Sequence, residues 1–395
     1  MKQIFLTFGA SALSLLALAQ TKAGPYEFTD VIDLPTTSVK NQGSSGTCWS
    51  FSGISFIESE AMRIGKDSLD LSEMFVVREC YDAKAQKYVR VHGMLNFGQG
   101  GAFHDVTWAI KNFGIVPDEV YTGLAFGGDR HLHSEMEAML KGQVEAVVEN
   151  KNKKLSPVWK SVVDATLDAY LGEVPNEFQY NGKKYTPQSF AKEKVGLNMD
   201  DYVEIGSFTH HPFYSKFAIE IPDNWLWDEI YNVPIDELEE IVDYALENGY
   251  TVAWGSDVSE KGFSTKSKGV AVVPEVSVDN APDAEIDKWE SLSKAEKESQ
   301  MYKLDKPVKE MTITQDMRQA AFDDYSTTDD HGMHITGMVK DQDGNKFYKV
   351  KNSWGDYNPL DGYFYCSKPF FKFKTIDVMV HKDAIPPAIR KKLGL

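Results

Sequence analysis

Cysteine is scarce in this 395-residue chain, which carries only Cys48, Cys80 and Cys366. Three thiols over that length exclude a scaffold held by disulfides, so the fold must rest on its own apolar core. Positive charge is short as well: 42 Lys and Arg face 59 Asp and Glu, a formal net charge of −17. That balance excludes a broad basic face of the kind nucleic acid requires. Beyond the first twenty or so residues no apolar run is long enough to cross a bilayer. Internal repeats are missing too. His210 and His211 are adjacent but have no further ligands near them in sequence, so no metal site is expected there, and no cofactor is expected anywhere.

What is present starts with Lys2 and a mostly apolar stretch over residues 4–19, broken by Thr7, Gly9, Ser11 and Ser14 and ending in Ala17-Leu18-Ala19. A charged start, a short apolar centre and small residues at alternate positions describe a secretory signal peptide. Cleavage is expected after Ala19, with Ala23 as second choice, and the mature protein is expected to be secreted or periplasmic. No cysteine follows the apolar run, which excludes a lipid anchor at that residue and leaves no stable membrane anchor. In an exported protein an odd cysteine signals a free reactive thiol. Cys80 and Cys366 can pair and leave Cys48 free.

Cys48 sits where a reactive thiol belongs. The turn Asn41-Gln42-Gly43-Ser44-Ser45-Gly46-Thr47 leads into Cys48-Trp49-Ser50-Phe51, and Ile54, Phe56 and Ile57 continue an apolar helical spacing. A thiol in the first turn of a helix feels the positive end of the dipole, which favours the nucleophilic thiolate. Gln42, six residues upstream, is placed to donate an amide N–H to a developing oxyanion. The plainer alternative is one more buried cysteine at a helix start, so the partners decide.

Further helices are expected after Ser72, from Ala102 to Gly114, over residues 135–150 and 158–171, over 234–248, and after Thr314. Residues 279–300 are rich in Asp, Glu, Lys and Ser and read as a solvated helix or loop. A strand is expected over residues 251–255, and the last third switches to short strands over 335–340, 347–350, 363–365 and 376–380. Helices first and strands later, without regular alternation, indicate an α+β protein of two packed lobes.

A cysteine nucleophile needs a histidine within reach and a group to orient it. Asp330-His331-Gly332-Met333-His334 and Lys351-Asn352-Ser353-Trp354-Gly355 supply both. An Asn carbonyl can hold the imidazole tautomer, and a following Trp can shield that bond.

These segments together resemble papain-like cysteine peptidases, with Gln, Cys, His and Asn in that order. In that pattern a glycine follows the histidine by six positions; counting back from Gly337 selects His331 over His334. Ser45 and Thr47 before the nucleophile, the His-small-Met start, the 283 residues between Cys48 and His331, and the segments 209–213, 221–225 and 255–258 resemble the bleomycin hydrolase and aminopeptidase C branch.

The resemblance implies a papain-like two-lobe fold, a helical lobe plus an antiparallel β-barrel-like lobe with helical insertions. On it, the signal peptide (1–19) precedes one peptidase domain (20–395). That domain divides into a helical lobe (26–120), a mainly helical insertion (121–233), a strand-rich lobe (234–381) and a C-terminal tail (382–395).

It further implies peptide substrates, a Cys48 thiolate paired with protonated His331, Asn352 orienting the imidazole, Gln42 at the oxyanion and Trp354 in support. In the branch the C-terminal carboxylate lies in the cleft and binds the substrate amine, a role that falls here to Leu395. Some members form hexamers and bind DNA; a homo-oligomer is therefore expected, and the acidic balance speaks against DNA. The function so implied is an exported cysteine aminopeptidase. The rivals are a papain-like endopeptidase with an open cleft and a non-catalytic peptide-binding protein on the same fold.

Overall fold

A computed structural model describes residues 20–152, 154–277, 280–281 and 289–395. The expected signal peptide lies outside the described residues, as do 279 and 282–288 of the acidic segment. The remainder of that segment includes a helix over Lys294–Met301 capped by Ser293, and buries Trp289 against Ala281 and Met301.

The chain opens with a hairpin of β1 (Gln20–Ala23) and β2 (Tyr26–Asp33). Helices α1 (Cys48–Arg63), α2 (Glu73–Arg90) and α3 (Phe103–Phe113) follow, then α4 (Ser134–Val148) and α5 (Trp159–Leu171). Ser72 caps α2 by accepting from Phe75 N–H at 3.0 Å, and Gly114 ends α3 at φ +83°. A small hairpin, β3 (Phe178–Tyr180) and β4 (Lys183–Tyr185), completes this side.

Next come β5 (Tyr202–Gly206), β6 (Lys216–Ala218) and β7 (Glu229–Asn232). After the helix Ile235–Glu247 come β8 (Val252–Ser256), β9 (Phe263–Ser264) and β10 (Val270–Ala271). The last strands are β11 (His331–Lys340), β12 (Lys346–Lys351), β13 (Tyr363–Ser367) and β14 (Thr375–His381).

Twelve strands form one sheet along the path β6-β7-β5-β14-β8-β11-β12-β13-β10-β9, with the β1–β2 hairpin joined to β11 through β2. The pairings β5–β7 and β10–β13 are parallel and the others antiparallel. The expected barrel-like lobe is therefore corrected: among the described residues the sheet is mixed and open, ending at β6 and β9.

Two expected boundaries also move. β2 lies in the supposed helical lobe yet pairs with β11, and β5–β7 lie in the supposed helical insertion yet extend the sheet beyond β14. β2 and β5 find these partners, in β11 and β14, more than 100 residues away, which local periodicity cannot show. Gly337 sits where β2 crosses β11; a Cβ there would lie 2.2 Å from Ile32 O, so only glycine permits the approach.

One apolar cluster joins α1 to α2–α5, and another lies between the sheet and the helix Ile235–Glu247. α1 is buried on nearly every side, packed between the other helices and β11. Its acidic residues are matched: Glu58 accepts from Leu71 N–H at 2.8 Å, and Glu60 holds Arg63 at 2.7 Å. α1 thus fixes its first residue, Cys48, against the start of β11. Cys80 lies in α2 and Cys366 in β13; both are buried and free, which answers the pairing that the sequence leaves open.

Candidate active site

The turn before Cys48 is tied down at several points. Gln42 N–H donates to Ser353 O at 2.9 Å, Gln42 Oε1 accepts from Ser353 Oγ at 2.6 Å, and Gly46 N–H donates to Gln99 Oε1 at 2.7 Å. Gly43 has φ +65°, with His131 O only 2.6 Å from where a Cβ would stand. Cys48 is the first residue of α1, so its own N–H has no intrahelical acceptor. Its thiol is partly exposed to a cavity of about 150 Å³ that His331 also lines.

β11 and β12 bring histidine and asparagine together across the turn at residues 341–345. His331 Nε2 lies 2.7 Å from Asn352 Oδ1. Asn352 Oδ1 also accepts from Ser353 N–H at 2.8 Å while its Nδ2 donates to Tyr357 OH at 3.2 Å, which fixes the amide orientation. His331 therefore donates its Nε2 proton to Asn352 and leaves Nδ1 free as a base. The Trp354 ring covers the imidazole with centroids 4.7 Å apart.

His334, three positions along the strand, turns to the other face. It is fully buried, and its Nδ1 meets Ser55 Oγ at 2.9 Å beside Lys351 Nζ.

Burial acts strongly on both reacting groups. It pushes the Cys48 thiol up to about 12, against the Gly332 and Trp49 amides and with help from Asp329 and Asp223. It pulls His331 down to about 4, against the Asn352 hydrogen bond. Burial therefore works against a charge on each group taken singly. Burial is the larger cause for both groups, and the Asp329 and Asp223 carboxylates add to it only for the thiol.

Two expected residues, Gln42 and Leu395, lie outside the lining of this cavity. Gln42 does not line the cavity; its Nε2 donates one proton to Ser45 O at 2.7 Å and keeps a second. Leu395 is not brought to Cys48 either. The tail folds as a helix over Pro387–Leu393 that buries Ile389 and Leu393, and Leu395 lines a separate cavity with His104 and Glu204.

His210 and His211 do gather a third group, Glu220, with His210 Nε2 2.9 Å from its carboxylate. Gln319 accepts Thr209 N–H through Oε1, so its Nε2 donates to His210 Nδ1. The neutral His210 ring then carries its proton on Nε2 and donates it to Glu220, so His210 itself turns no lone pair toward that carboxylate.

The sequence reading overlooked an acidic wall. Asp223, Asp329, Asp330 and Asp377 all line the cavity with Cys48 and His331, and among the described residues no Lys or Arg does. One signal was available for Asp377: a lone carboxylate inside the apolar strand Ile376-Asp377-Val378-Met379-Val380.

Comparison with known proteins finds relatives over nearly the whole chain. The profile described as the Peptidase C1-like family matches residues 14–314 and 293–394. Aminopeptidase C of Streptococcus thermophilus is 25% identical over 93% of this chain and 86% of its own length. Aminopeptidase C and Aminopeptidase G of Lactobacillus delbrueckii subsp. lactis are each 24% identical, covering 91% and 89% of this chain and 83% and 82% of theirs. The crystal structure of PepW from Lactobacillus rhamnosis HN001 superposes with a TM-score of 0.70 at 21% identity, over 93% of this chain and 84% of that one, and so shares the fold. A papain-like fold with Cys48 and His331 on one cavity and Asn352 holding the imidazole, matched over nearly its whole length by one profile, places the chain in the Peptidase C1-like family of cysteine peptidases.

Proposed function

We propose that this protein is an exported cysteine aminopeptidase that removes N-terminal residues from peptides. The observation that carries the reading is the shared cavity of Cys48 and His331, with the His331 tautomer set by Asn352 so that Nδ1 is the free base. In the reaction, Cys48 Sγ attacks the scissile carbonyl as its proton passes to His331 Nδ1. The oxyanion is met by Cys48 N–H, at the start of α1. His331 then protonates the leaving amine, and the C–N bond breaks to leave a thioester. Water, deprotonated by His331, hydrolyses the thioester and restores the thiol. Removal of N-terminal residues is supported by the relatives that carry the name aminopeptidase.

The first test compares an unblocked aminoacyl fluorogenic amide with its N-acetylated twin. Cleavage of the free-amine substrate alone, lost by a factor of roughly 10³ or more in Cys48→Ala, is the expected result. Equal cleavage of both by the wild type points to an endopeptidase, and cleavage of neither to a peptide-binding protein. Export is tested separately by the mass of the protein recovered outside the cytoplasm. A chain beginning at Gln20 is expected, and an uncut chain retained in the cytoplasm overturns the export reading.

A further inference from the structure

The acidic wall of the cavity has no task in the chemistry above, and its carboxylates differ in how they are satisfied. Asp330 is exposed and accepts from Thr328 Oγ1 at 2.8 Å, and Asp223 accepts from Asn96 Nδ2 at 3.1 Å. Asp377 is 3% exposed and lines the cavity, and among the described residues its carboxylate makes no hydrogen bond and no ion pair within 4 Å, so its oxygens open only on that cavity. Half-buried Asp329 makes none either. The cations near this wall are engaged elsewhere. Arg318 is spent on the carbonyls of Ser207, Lys372 and Ile376, and Lys84 on those of Gly98 and Gly100.

The backbone leaves room for these carboxylates. A Cβ on Gly255 would lie 2.4 Å from Asp377 Oδ1, and one on Gly100 would lie 1.8 Å from Asp223 Oδ2. A buried carboxylate without a partner is costly, and a cation that arrives with the ligand removes that cost.

We propose that Asp377, with Asp329 and Asp223, forms the subsite that takes a primary ammonium of the substrate, namely the α-ammonium of its N-terminal residue. This assignment rests on the aminopeptidase reading and gives the amine-binding task to the cavity wall instead of to the terminal carboxylate of Leu395, which lines a different cavity. The chemistry fits. One ammonium donates three hydrogen bonds and neutralises a wall that otherwise holds its protons, since burial and the neighbouring carboxylates push Asp329 up to about 8. An acylated amine brings neither charge nor donors enough and leaves Asp377 buried and unmatched.

The test measures kcat and KM for leucine amide and N-acetyl-leucine amide in wild type, Asp377→Asn, Asp377→Glu, Asp329→Asn and a chain lacking Leu395. Asp377→Asn is expected to raise KM for the free amine about tenfold or more while kcat stays within about threefold. Asp377→Glu should recover part of the loss, Asp329→Asn should shift KM the same way, and removal of Leu395 should leave KM unchanged. N-acetyl-lysine amide beside N-acetyl-norleucine amide separates the two sources of an ammonium: preference for lysine that disappears in Asp377→Asn assigns the wall to a side chain and overturns the α-ammonium assignment. Unchanged KM in both Asn variants, or a rise in KM on loss of Leu395, overturns it as well. Equal cleavage of free and blocked substrates by the wild type defeats the aminopeptidase reading and this one together. A wild type that demands the free amine beside an indifferent Asp377→Asn defeats this one alone.

Discussion

At the scale of single residues, the charge on Cys48 is decided by opposing neighbours at close range. Burial opposes the thiolate, the Gly332 and Trp49 amides favour it, and the Asp329 and Asp223 carboxylates oppose it again. Asp329 exerts its repulsion only when ionised, and its own carboxyl is pushed up to about 8. Asp329→Asn should therefore leave the thiol unaffected below about pH 8 and make it more acidic above. The rate of Cys48 alkylation by iodoacetamide, followed against pH without substrate, reads this directly. The variant and wild-type profiles should coincide on the acid side and separate on the alkaline side, the variant leading by up to about one pH unit, or tenfold in thiolate. A variant that lags the wild type, or matches it throughout, removes Asp329 from the electrostatics of the nucleophile.

At the scale of elements, legibility follows the range of the interactions that set each one. Ser72 before α2, Gly65 after α1 and Gly114 after α3 are local signals, and each helix begins or ends where they stand. The apolar stripe of Ile235, Leu238, Ile241, Val242, Ala245 and Leu246 is likewise local, and all six are buried. The pairing of His331 with Asn352 was legible because the two strands are joined by one short turn. There Asp341 accepts from Asn345 N–H at 2.8 Å and Gly344 takes φ +87°. The attachments of β2 and β5 were not legible, because their partners in β11 and β14 are remote in sequence and strands of this length carry weak patterns. The openness of the sheet is set by the same remote pairings. Leu395 was misplaced for a different reason: Pro386-Pro387 reads as a stiff arm, but Pro387 opens a helix whose Ile389 and Leu393 find the core. The acidic wall escaped notice because its four members come from three distant segments, and only folding shows them to face one cavity.

At the scale of the whole molecule, the cavity exists because helices and sheet meet in a fixed relation, and one buried ion pair fastens them near it. His104 on α3 engages Glu204 on β5 twice, through backbone N–H and through Nδ1, each at 2.7 Å. Beside it Asp105 Oδ2 accepts from Trp225 Nε1 at 2.7 Å and from Ala102 N–H at 3.0 Å, which ties the glycine turn of the cavity to the same network. Burial works against a charge on His104, but Glu204, aided by Asp105, outweighs it and raises the imidazole to about 10. A histidine raised in this way binds its proton more tightly folded than unfolded. Its contribution is fully present below about pH 6.5 and is lost as pH rises toward 10. Glu204→Gln leaves the buried imidazolium without its counter-charge and should cost about 3–5 kcal/mol at neutral pH. Urea denaturation across pH 6 to 10 checks both halves of the argument. Wild-type stability should fall over that range by an amount that Glu204→Gln no longer shows, so that the two curves converge at high pH. Curves that stay parallel would mean that His104 is neutral throughout and that the helices are held to the sheet by apolar packing alone.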